Sequence, residues 1–219
     1  MNVQHKQLAQ YFLSGDEDGA LDYMEELIKV HSKAFLYEEI ITPAMYYIGE
    51  LWEQNKITVA DEHLATAICD FSLSRLESAL KPIKGKHQKN YKALLFGVED
   101  EQHYIGLKMV ADTFKEQGWR VRYLGPNLSM EHSMSQIEKF RPDVIGLSAA
   151  LSYRLPVLKK VIHRFMELEW KPLVMIGGRM AKKFQLDEFE SAQVMVVKDL
   201  NHLYQWFNEG REGAINETS

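Results

Sequence analysis

The sequence predicts an α/β chain in two parts, a four-helix bundle at residues 1–84 followed by a five-stranded parallel sheet at residues 91–211. The first observation behind this prediction is the helical spacing of apolar residues throughout the first part. The second is a change after Tyr91, where short apolar runs alternate with helical patterns. Because strands that are joined through helices form parallel sheets, we expect a βαβ architecture in the second part.

The first part is predicted to contain four helices with short loops. The third helix, from about residue 35 to residue 53, contains Pro43, which predicts a kink or a break. Before the fourth helix, Thr58 and Asp61 have the spacing of a capping box, and this helix should extend to about Leu80. The apolar stripes of the first two helices are Leu8, Tyr11 and Phe12, then Leu21, Met24, Leu27 and Ile28.

Five strands are predicted in the second part, with turn residues between them. A segment of about 120 residues suits a Rossmann-type sheet of the shorter, flavodoxin-like kind, with strand order 2-1-3-4-5. The strands are expected at 92–98, 120–125, 143–148, 172–177 and 193–197, and the turns at Gly118, Gly125-Pro126-Asn127, Pro142 and Gly177-Gly178.

The composition narrows the possible partners and compartment. A net charge of −5 over 219 residues argues against a nucleic-acid-binding face, which needs many cations. The single Cys69 cannot form an internal disulfide, and Leu64, Ile68 and Phe71 around it predict a buried thiol. The chain has no apolar run long enough to cross a membrane, and its polar start is unlike a signal peptide. We therefore expect a cytoplasmic protein without a membrane or nucleic-acid partner.

His103 is the residue that most directly suggests a function. It lies between the apolar run 93–96, which predicts a strand, and the helical pattern that begins at Leu107. Glu101 lies two residues before it and Gly106 three residues after it. In an open α/β sheet, ligands bind in the crevice outside the carboxyl ends of the strands, so His103 is predicted to lie at a binding site.

The usual catalytic motifs are absent from the sequence. It contains neither of the glycine-rich phosphate-binding patterns, no H-E-x-x-H zinc motif and no paired C-x-x-C. Ser148 and Ser152 follow the third predicted strand, but without the G-x-S-x-G pattern of a hydrolase nucleophile. We therefore expect no enzyme activity, although a role as a methyl carrier stays open.

Three motifs in order resemble the cobalamin-binding domain shared by methionine synthase, corrinoid methyl carriers and several mutases. They are Glu101-x-His103-x-x-Gly106, the segment from Val144 to Ser152, and Met175-Ile176-Gly177-Gly178. The resemblance implies that His103 replaces the cofactor's own benzimidazole as the lower axial ligand of cobalt. It also implies that the displaced nucleotide tail lies beside Ser148, Ser152, Gly177 and Gly178.

The residues around His103 suit this role chemically. Imidazole is a suitable ligand for a late transition metal, and the Glu101 carboxylate can accept the second N–H of the ring. Gly106 would let the helix backbone approach the corrin. The sequence departs from the family pattern at Glu101, where many members carry aspartate, and after Ser148, where Leu151 comes one place later than usual.

The helical part carries a second resemblance. Trp52 is followed by Glu62 and His63 with nine residues between, which is similar to the W-x9-E-H motif of light-sensing, adenosylcobalamin-dependent MerR-type repressors. The resemblance implies a helical cap in which Trp52 packs on the adenosyl group and Glu62 and His63 reach its sugar. Glu53 stands where some of those photoreceptors have a second histidine, and the chain begins directly with the bundle, so we expect no direct operator binding.

Together these features predict a stand-alone cobalamin-binding sensor. We expect adenosylcobalamin as the cofactor, and signalling through homo-oligomerisation or a separate protein regulator. The alternative is a corrinoid carrier for a methyltransferase system, which would hold methylcobalamin. A third class, an interaction scaffold that binds no cobalamin, predicts that replacing His103 leaves any ligand spectrum unchanged.

Overall fold

The computed structural model describes residues 3–79, 90–148, 155–179, 181 and 186–210. The chain divides into two compact units, Met1–Pro82 and Ile83–Ser219, which we call the helical unit and the α/β unit. Within the described ranges, every helix is too short or too polar to cross a membrane.

The described part of the helical unit is built from helices that pack on one another, as predicted. Helix α1 contacts α2, α4 and α5, and α5 also contacts α2 and α4. The helices are α1 (Gln4–Ser14), α2 (Glu17–Val30), α3 (Lys33–Phe35), a π-helical segment (Leu36–Ile41), α4 (Thr42–Glu53) and α5 (Val59–Ala79). Their fully buried side chains include Leu8, Phe12, Met24, Tyr37, Ile40, Ile48 and Leu73.

The third predicted helix continues through Pro43 rather than breaking there. Helix α3, the π-helical segment and α4 follow one another without a gap, and Pro43 lies in the first turn of α4. Proline has no N–H to donate to the carbonyl four residues earlier. Just before it, the backbone N–H of Thr42 donates to the carbonyl of Tyr37, five residues earlier. The helix therefore changes its hydrogen-bonding pattern at the proline instead of ending.

The thiol of Cys69 is buried, as predicted, but two of the three neighbours used for that prediction are exposed. Ile68 is buried, whereas Leu64 and Phe71 keep 42% and 38% of their surface exposed. A helix turns through about 100° per residue, so positions five before and two after Cys69 lie on the opposite side of α5. The prediction for the thiol is confirmed, although only Ile68 of the three apolar neighbours is buried with it.

The α/β unit contains the predicted parallel sheet. All neighbouring strands pair in parallel in the order β2-β1-β3-β4-β5, which confirms the predicted topology. Strand β1 is buried along almost its whole length, as expected for a parallel sheet that is covered on both faces. The strands are β1 (Lys92–Val98), β2 (Arg120–Leu128), β3 (Val144–Ser148), β4 (Leu173–Gly177) and β5 (Val194–Val196).

Helices supply the two covering layers of the sheet. On one face, Phe96 of the sheet packs with the helical residues Ile137 and Phe165 in a large apolar core. An aromatic cluster of Phe114, Trp119, Trp206 and Phe207 joins α6 to α9. The helices are α6 (Ile105–Glu116), α7 (Met130–Phe140), α8 (Leu155–Met166), a 3₁₀ helix (Leu186–Phe189) and α9 (Leu200–Asn208).

Strand β2 is longer than predicted, and the prediction of a turn at Gly125-Pro126-Asn127 is wrong. Phe96 pairs with Gly125 and Val98 pairs with Leu128, so β2 has more residues than β1 over this stretch and bulges. Strand β2 lies at the edge of the sheet. A proline is tolerated there because it can occupy a bulge or face away from the ladder.

Candidate functional site

His103 lies in the loop 99–104, between the carboxyl end of β1 and the start of α6. The chain leaves β1 for β2 on one side of the sheet, while β3 pairs with β1 on the other side. The strand order therefore reverses at β1 and β3. Such a topological switch point opens the crevice in which α/β proteins bind ligands.

Glu101 fixes the orientation of His103. One carboxylate oxygen, Oε1, accepts the backbone N–H of His103 at 2.8 Å and lies 2.7 Å from the imidazole Nδ1. The Glu101 side chain is fully buried, whereas that of His103 is 44% exposed. An ionised carboxylate can only accept, so this contact favours the neutral imidazole tautomer with its proton on Nδ1, in which Nε2 keeps the lone pair that a metal ion needs.

A row of small residues crosses the sheet beside this loop. Gly97 of β1 pairs with Ser148 of β3, which pairs in turn with Gly177 of β4. All three lie at the carboxyl ends of their strands. Gly178 follows with φ of 107°, a left-handed conformation that favours glycine. The side chains along this row are therefore no larger than the hydroxymethyl group of Ser148.

Gly106 and Ser152 complete the residues predicted for this site. Gly106 is exposed in the first turn of α6, and a Cβ atom added there would meet no other atom within 4 Å. A flat ligand can therefore approach the helix backbone closely at this position. Ser152 and the residues directly after Ser148 lie outside the described residues.

The three residues predicted from the helical unit lie at one end of it. Trp52 is near the end of α4 and 47% exposed, and Glu62 and His63 are in the first turns of α5. The loop 54–58 is short, and α4 contacts α5, so the end of α4 is close to the start of α5. The Nδ1 atom of His63 lies 2.7 Å from Glu62 Oε2, and Thr66 donates to the other Glu62 oxygen at 3.0 Å.

Helix α5 starts at the predicted capping box. The Asp61 N–H donates to the Thr58 hydroxyl at 3.3 Å, and the Thr58 hydroxyl and backbone N–H donate to the Asp61 carboxylate at 2.7 and 2.8 Å. These bonds stabilise the charged carboxylate and hold its pKa below its usual range. The box fixes the turn from which Glu62 and His63 project.

We expect Thr58→Val to raise the pKa of Asp61 toward its ordinary value, because the hydroxyl bond is the largest cause of the shift. The folded-state pKa is depressed, so the bond stabilises the helix above the unfolded pKa and is lost as the pH falls through the folded value. A carbon-detected NMR titration of Asp61 measures the shift, with Ser74→Ala on the same helix as the control. An unchanged Asp61 pKa in Thr58→Val would contradict this account of the cap.

Gly97 and Asn127 are parts of the site that none of the sequence motifs indicates. Asn127 Oδ1 accepts the Asp100 N–H at 2.8 Å, and the Asn127 N–H donates to the Glu101 carbonyl at 2.9 Å. A Cβ atom on Gly97 would lie 3.2 Å from the Pro126 Cα atom. The sequence signal for Asn127 is the Gly-Pro-Asn string, but the composition of this string predicts a turn.

Both units match models of cobalamin-binding families. Two family models, each described as a B12 binding domain, match residues 91–198 and residues 4–77. The matched ranges contain all of the predicted site residues, from Trp52 in the helical unit to Gly178 in the α/β unit.

Two curated relatives represent different kinds of protein. The HTH-type transcriptional repressor CarH of Myxococcus xanthus is 28% identical over 78% of this chain, which spans only 56% of the repressor's length. The dimethylamine corrinoid protein 1 of Methanosarcina mazei is 23% identical over 84% of this chain and 85% of its own length.

A solved structure agrees with the fold. The monomethylamine corrinoid protein of Methanosarcina barkeri superposes with a TM-score of 0.70 over 88% of this chain and 91% of its own, at 17% identity. Because the two family matches together span most of both units, the chain belongs to the B12-binding domain family and is a cobalamin-binding protein.

Proposed function

We propose that this protein is a cobalamin-dependent sensor that holds adenosylcobalamin, with His103 as the lower axial ligand of cobalt. The observation that carries the proposal is the Glu101–His103 pair at the topological switch point. It has the arrangement that metal-binding histidines usually have, in which a carboxylate accepts the N–H of the ring nitrogen that does not bind the metal.

The residues present fit a corrinoid better than a metal ion held by side chains alone. Within the described ranges, no group of three or more histidine, cysteine, aspartate or glutamate side chains could hold a metal ion. A single imidazole nitrogen suffices when a macrocycle supplies the remaining ligands of the metal. The open space beside Gly106 suits the approach of a large flat group. The row of small residues offers only short side chains to the chain appended to that group.

We assign the nucleotide tail of the cofactor to the small-residue row. Ser148 is almost fully buried and offers a hydroxyl, while Gly177 and Gly178 have no side chain to fill the neighbouring space. Ser152 is also proposed to lie beside the tail. A separate place for the tail matters because His103 would hold cobalt instead of the cofactor's own base.

Trp52, Glu62 and His63 are proposed to contact the upper group of the same cofactor. The exposed indole offers a flat apolar surface with one N–H donor. Glu62 is held by Thr66 and pairs with His63, whose side chain is 75% exposed. Such a set suits a nucleoside, which needs one stacking surface and a few polar contacts that fix its orientation.

Bound adenosylcobalamin supplies a cobalt–carbon bond that visible light breaks. We propose that Trp52, Glu62 and His63 would hold the adenosyl group in darkness, and that without this group the surface they form on the helical unit would change. The changed surface would alter homo-oligomerisation or docking to a separate regulator. The protein itself would catalyse no reaction.

An absorbance and assembly experiment tests this function. We expect protein mixed with adenosylcobalamin in darkness to retain the cofactor through gel filtration, and green light to change both the spectrum and the elution volume. Protein kept in darkness for the same time is the control. Failure to retain adenosylcobalamin, or an elution volume that does not respond to light, would contradict the sensor function.

The second candidate is a corrinoid carrier for a methyltransferase system. It is favoured by the similarity to a dimethylamine corrinoid protein over most of both chains. The two candidates differ in the upper ligand, because a carrier must hold a methyl group. Markedly tighter retention of methylcobalamin than of adenosylcobalamin would support the carrier.

A further inference from the structure

We infer that Asn127, on the edge strand β2, is a positioning residue for His103. The inference rests on the proposed role of His103 as the cobalt ligand. Asn127 is 24 positions from His103 along the chain and does not belong to the motifs that identified the site. Its backbone and side chain both bind the loop that carries His103.

The bulge in β2 brings Asn127 to the loop. Between the pairs Phe96–Gly125 and Val98–Leu128, the chain of β2 must accommodate one more residue than that of β1. Pro126 and Asn127 occupy this stretch. Bulges bend a strand and redirect its side chains, and they are frequent beside functional sites.

Asn127 and Asp100 both adopt left-handed backbone conformations at this contact. Their φ angles are 54° and 62°, in the region that asparagine and aspartate tolerate better than most residues. In these conformations Asn127 accepts the Asp100 N–H and donates its own N–H to the Glu101 carbonyl. A third bond, from the Glu101 N–H to the Val98 carbonyl at 2.9 Å, closes the turn on β1.

Gly97 makes the close approach possible. A Cβ atom at this position would meet the Pro126 Cα atom at 3.2 Å, the Glu101 carbonyl oxygen at 3.4 Å and the Asn127 nitrogen at 3.5 Å. The distance to Pro126 is tighter than nine in ten real Cβ contacts, and the other two are close to ordinary van der Waals contact. The glycine therefore lets the bulge of β2 and the loop meet over the end of β1.

Asn127 influences the orientation of His103 Nε2 through a series of hydrogen bonds. Asn127 holds the backbone of residues 100 and 101, so the Glu101 carboxylate stays buried under His103. That carboxylate binds Nδ1 and directs Nε2 outward. A binding group works only when its supporting bonds hold it within about 0.5 Å of the productive geometry.

The test compares Asn127→Gly with Asn127→Asp in the full chain without cofactor. Glycine tolerates the left-handed backbone but removes the side-chain acceptor, whereas aspartate keeps an acceptor oxygen. Lys171→Gly is the matched control, because Lys171 is also exposed with a left-handed φ of 42° but precedes β4, which β1 and β3 separate from β2 in the sheet.

Two NMR readouts follow the positioning directly. We expect Asn127→Gly to speed hydrogen exchange of the Asp100 amide at least about 10-fold, and to weaken the preference of His103 for the Nδ1–H tautomer. Asn127→Asp should retain both properties, and so should Lys171→Gly. An Asn127→Gly protein with unchanged Asp100 exchange and an unchanged His103 tautomer would overturn the inference.

A cofactor measurement separates this inference from the proposed function. We expect Asn127→Gly to lower cobalamin retention by up to about 10-fold, less than the loss caused by removing a direct partner of the metal ligand. If wild-type protein places no histidine nitrogen on cobalt, the proposed function fails, whatever the tautomer result. If it does so and Asn127→Gly retains cobalamin as well as Lys171→Gly, the positioning role alone fails.

Discussion

His103→Ala is expected to abolish the coordination of cobalt by a protein nitrogen and to give the largest loss of cobalamin retention of any single substitution. Replacing a hydrogen-bond partner of a metal ligand typically costs about 10- to 100-fold in affinity, so loss of the ligand itself should cost more. Equilibrium dialysis with adenosylcobalamin measures the affinity, and the absorbance spectrum of the bound cofactor reports its lower ligand.

His132→Ala is the matched control for this change. His132 is an exposed histidine of the same unit, near the start of α7, where its ring contacts the Ser129 hydroxyl. The His132→Ala protein should bind cobalamin with the same affinity as the wild-type protein. Equal affinities and equal spectra for His103→Ala and the wild type would mean that another group holds the cofactor.

Glu101→Ala is expected to weaken cobalamin binding by about 10- to 100-fold, or roughly 1.4–2.7 kcal/mol. The substitution removes the acceptor for both the backbone N–H and the Nδ1–H of His103. The imidazole is then free to rotate and to exchange its tautomers, so Nε2 no longer faces the metal in one fixed direction. Glu101→Gln keeps an acceptor oxygen without the charge, so its affinity for cobalamin should lie between those of the wild type and Glu101→Ala.

Glu99→Ala controls for the loss of a carboxylate in the same loop, because Glu99 is exposed two positions before Glu101. Thermal unfolding without cofactor must be measured in parallel, since Glu101 is buried. An equal loss of affinity in Glu99→Ala and Glu101→Ala would indicate a general charge effect and contradict the specific role of Glu101.

The fold was largely predictable from the sequence, because the patterns that indicate its helices and strands lie within short stretches of the chain. The apolar run of β1 and the helical spacing of α6 lie within a few residues of one another, and they placed His103 at a strand end correctly. The pairing of Glu101 with His103 also follows from a separation of two residues. The capping box of Thr58 and Asp61 is local in the same way.

Two of the features that the sequence did not predict depend on contacts between distant segments, and a third depends on a local change in helical hydrogen bonding. The Gly125-Pro126-Asn127 string has turn composition, but pairing with β1 keeps it in a bulged strand. The role of Asn127 depends on a bond to Asp100, 27 positions away. Helical continuity through Pro43 depends on a local π-helical pattern for which apolar periodicity gives no sign.

Electron paramagnetic resonance of the bound cobalt(II) form tests the central claim most directly. An axial ¹⁴N nucleus splits each cobalt line into three, whereas an axial ¹⁵N nucleus splits it into two. We expect three-fold splitting with unlabelled protein and two-fold splitting after every histidine is labelled with ¹⁵N, with the label effect absent in His103→Ala. Three-fold splitting that persists in the labelled protein would show the cofactor's own base on cobalt and contradict the role of His103.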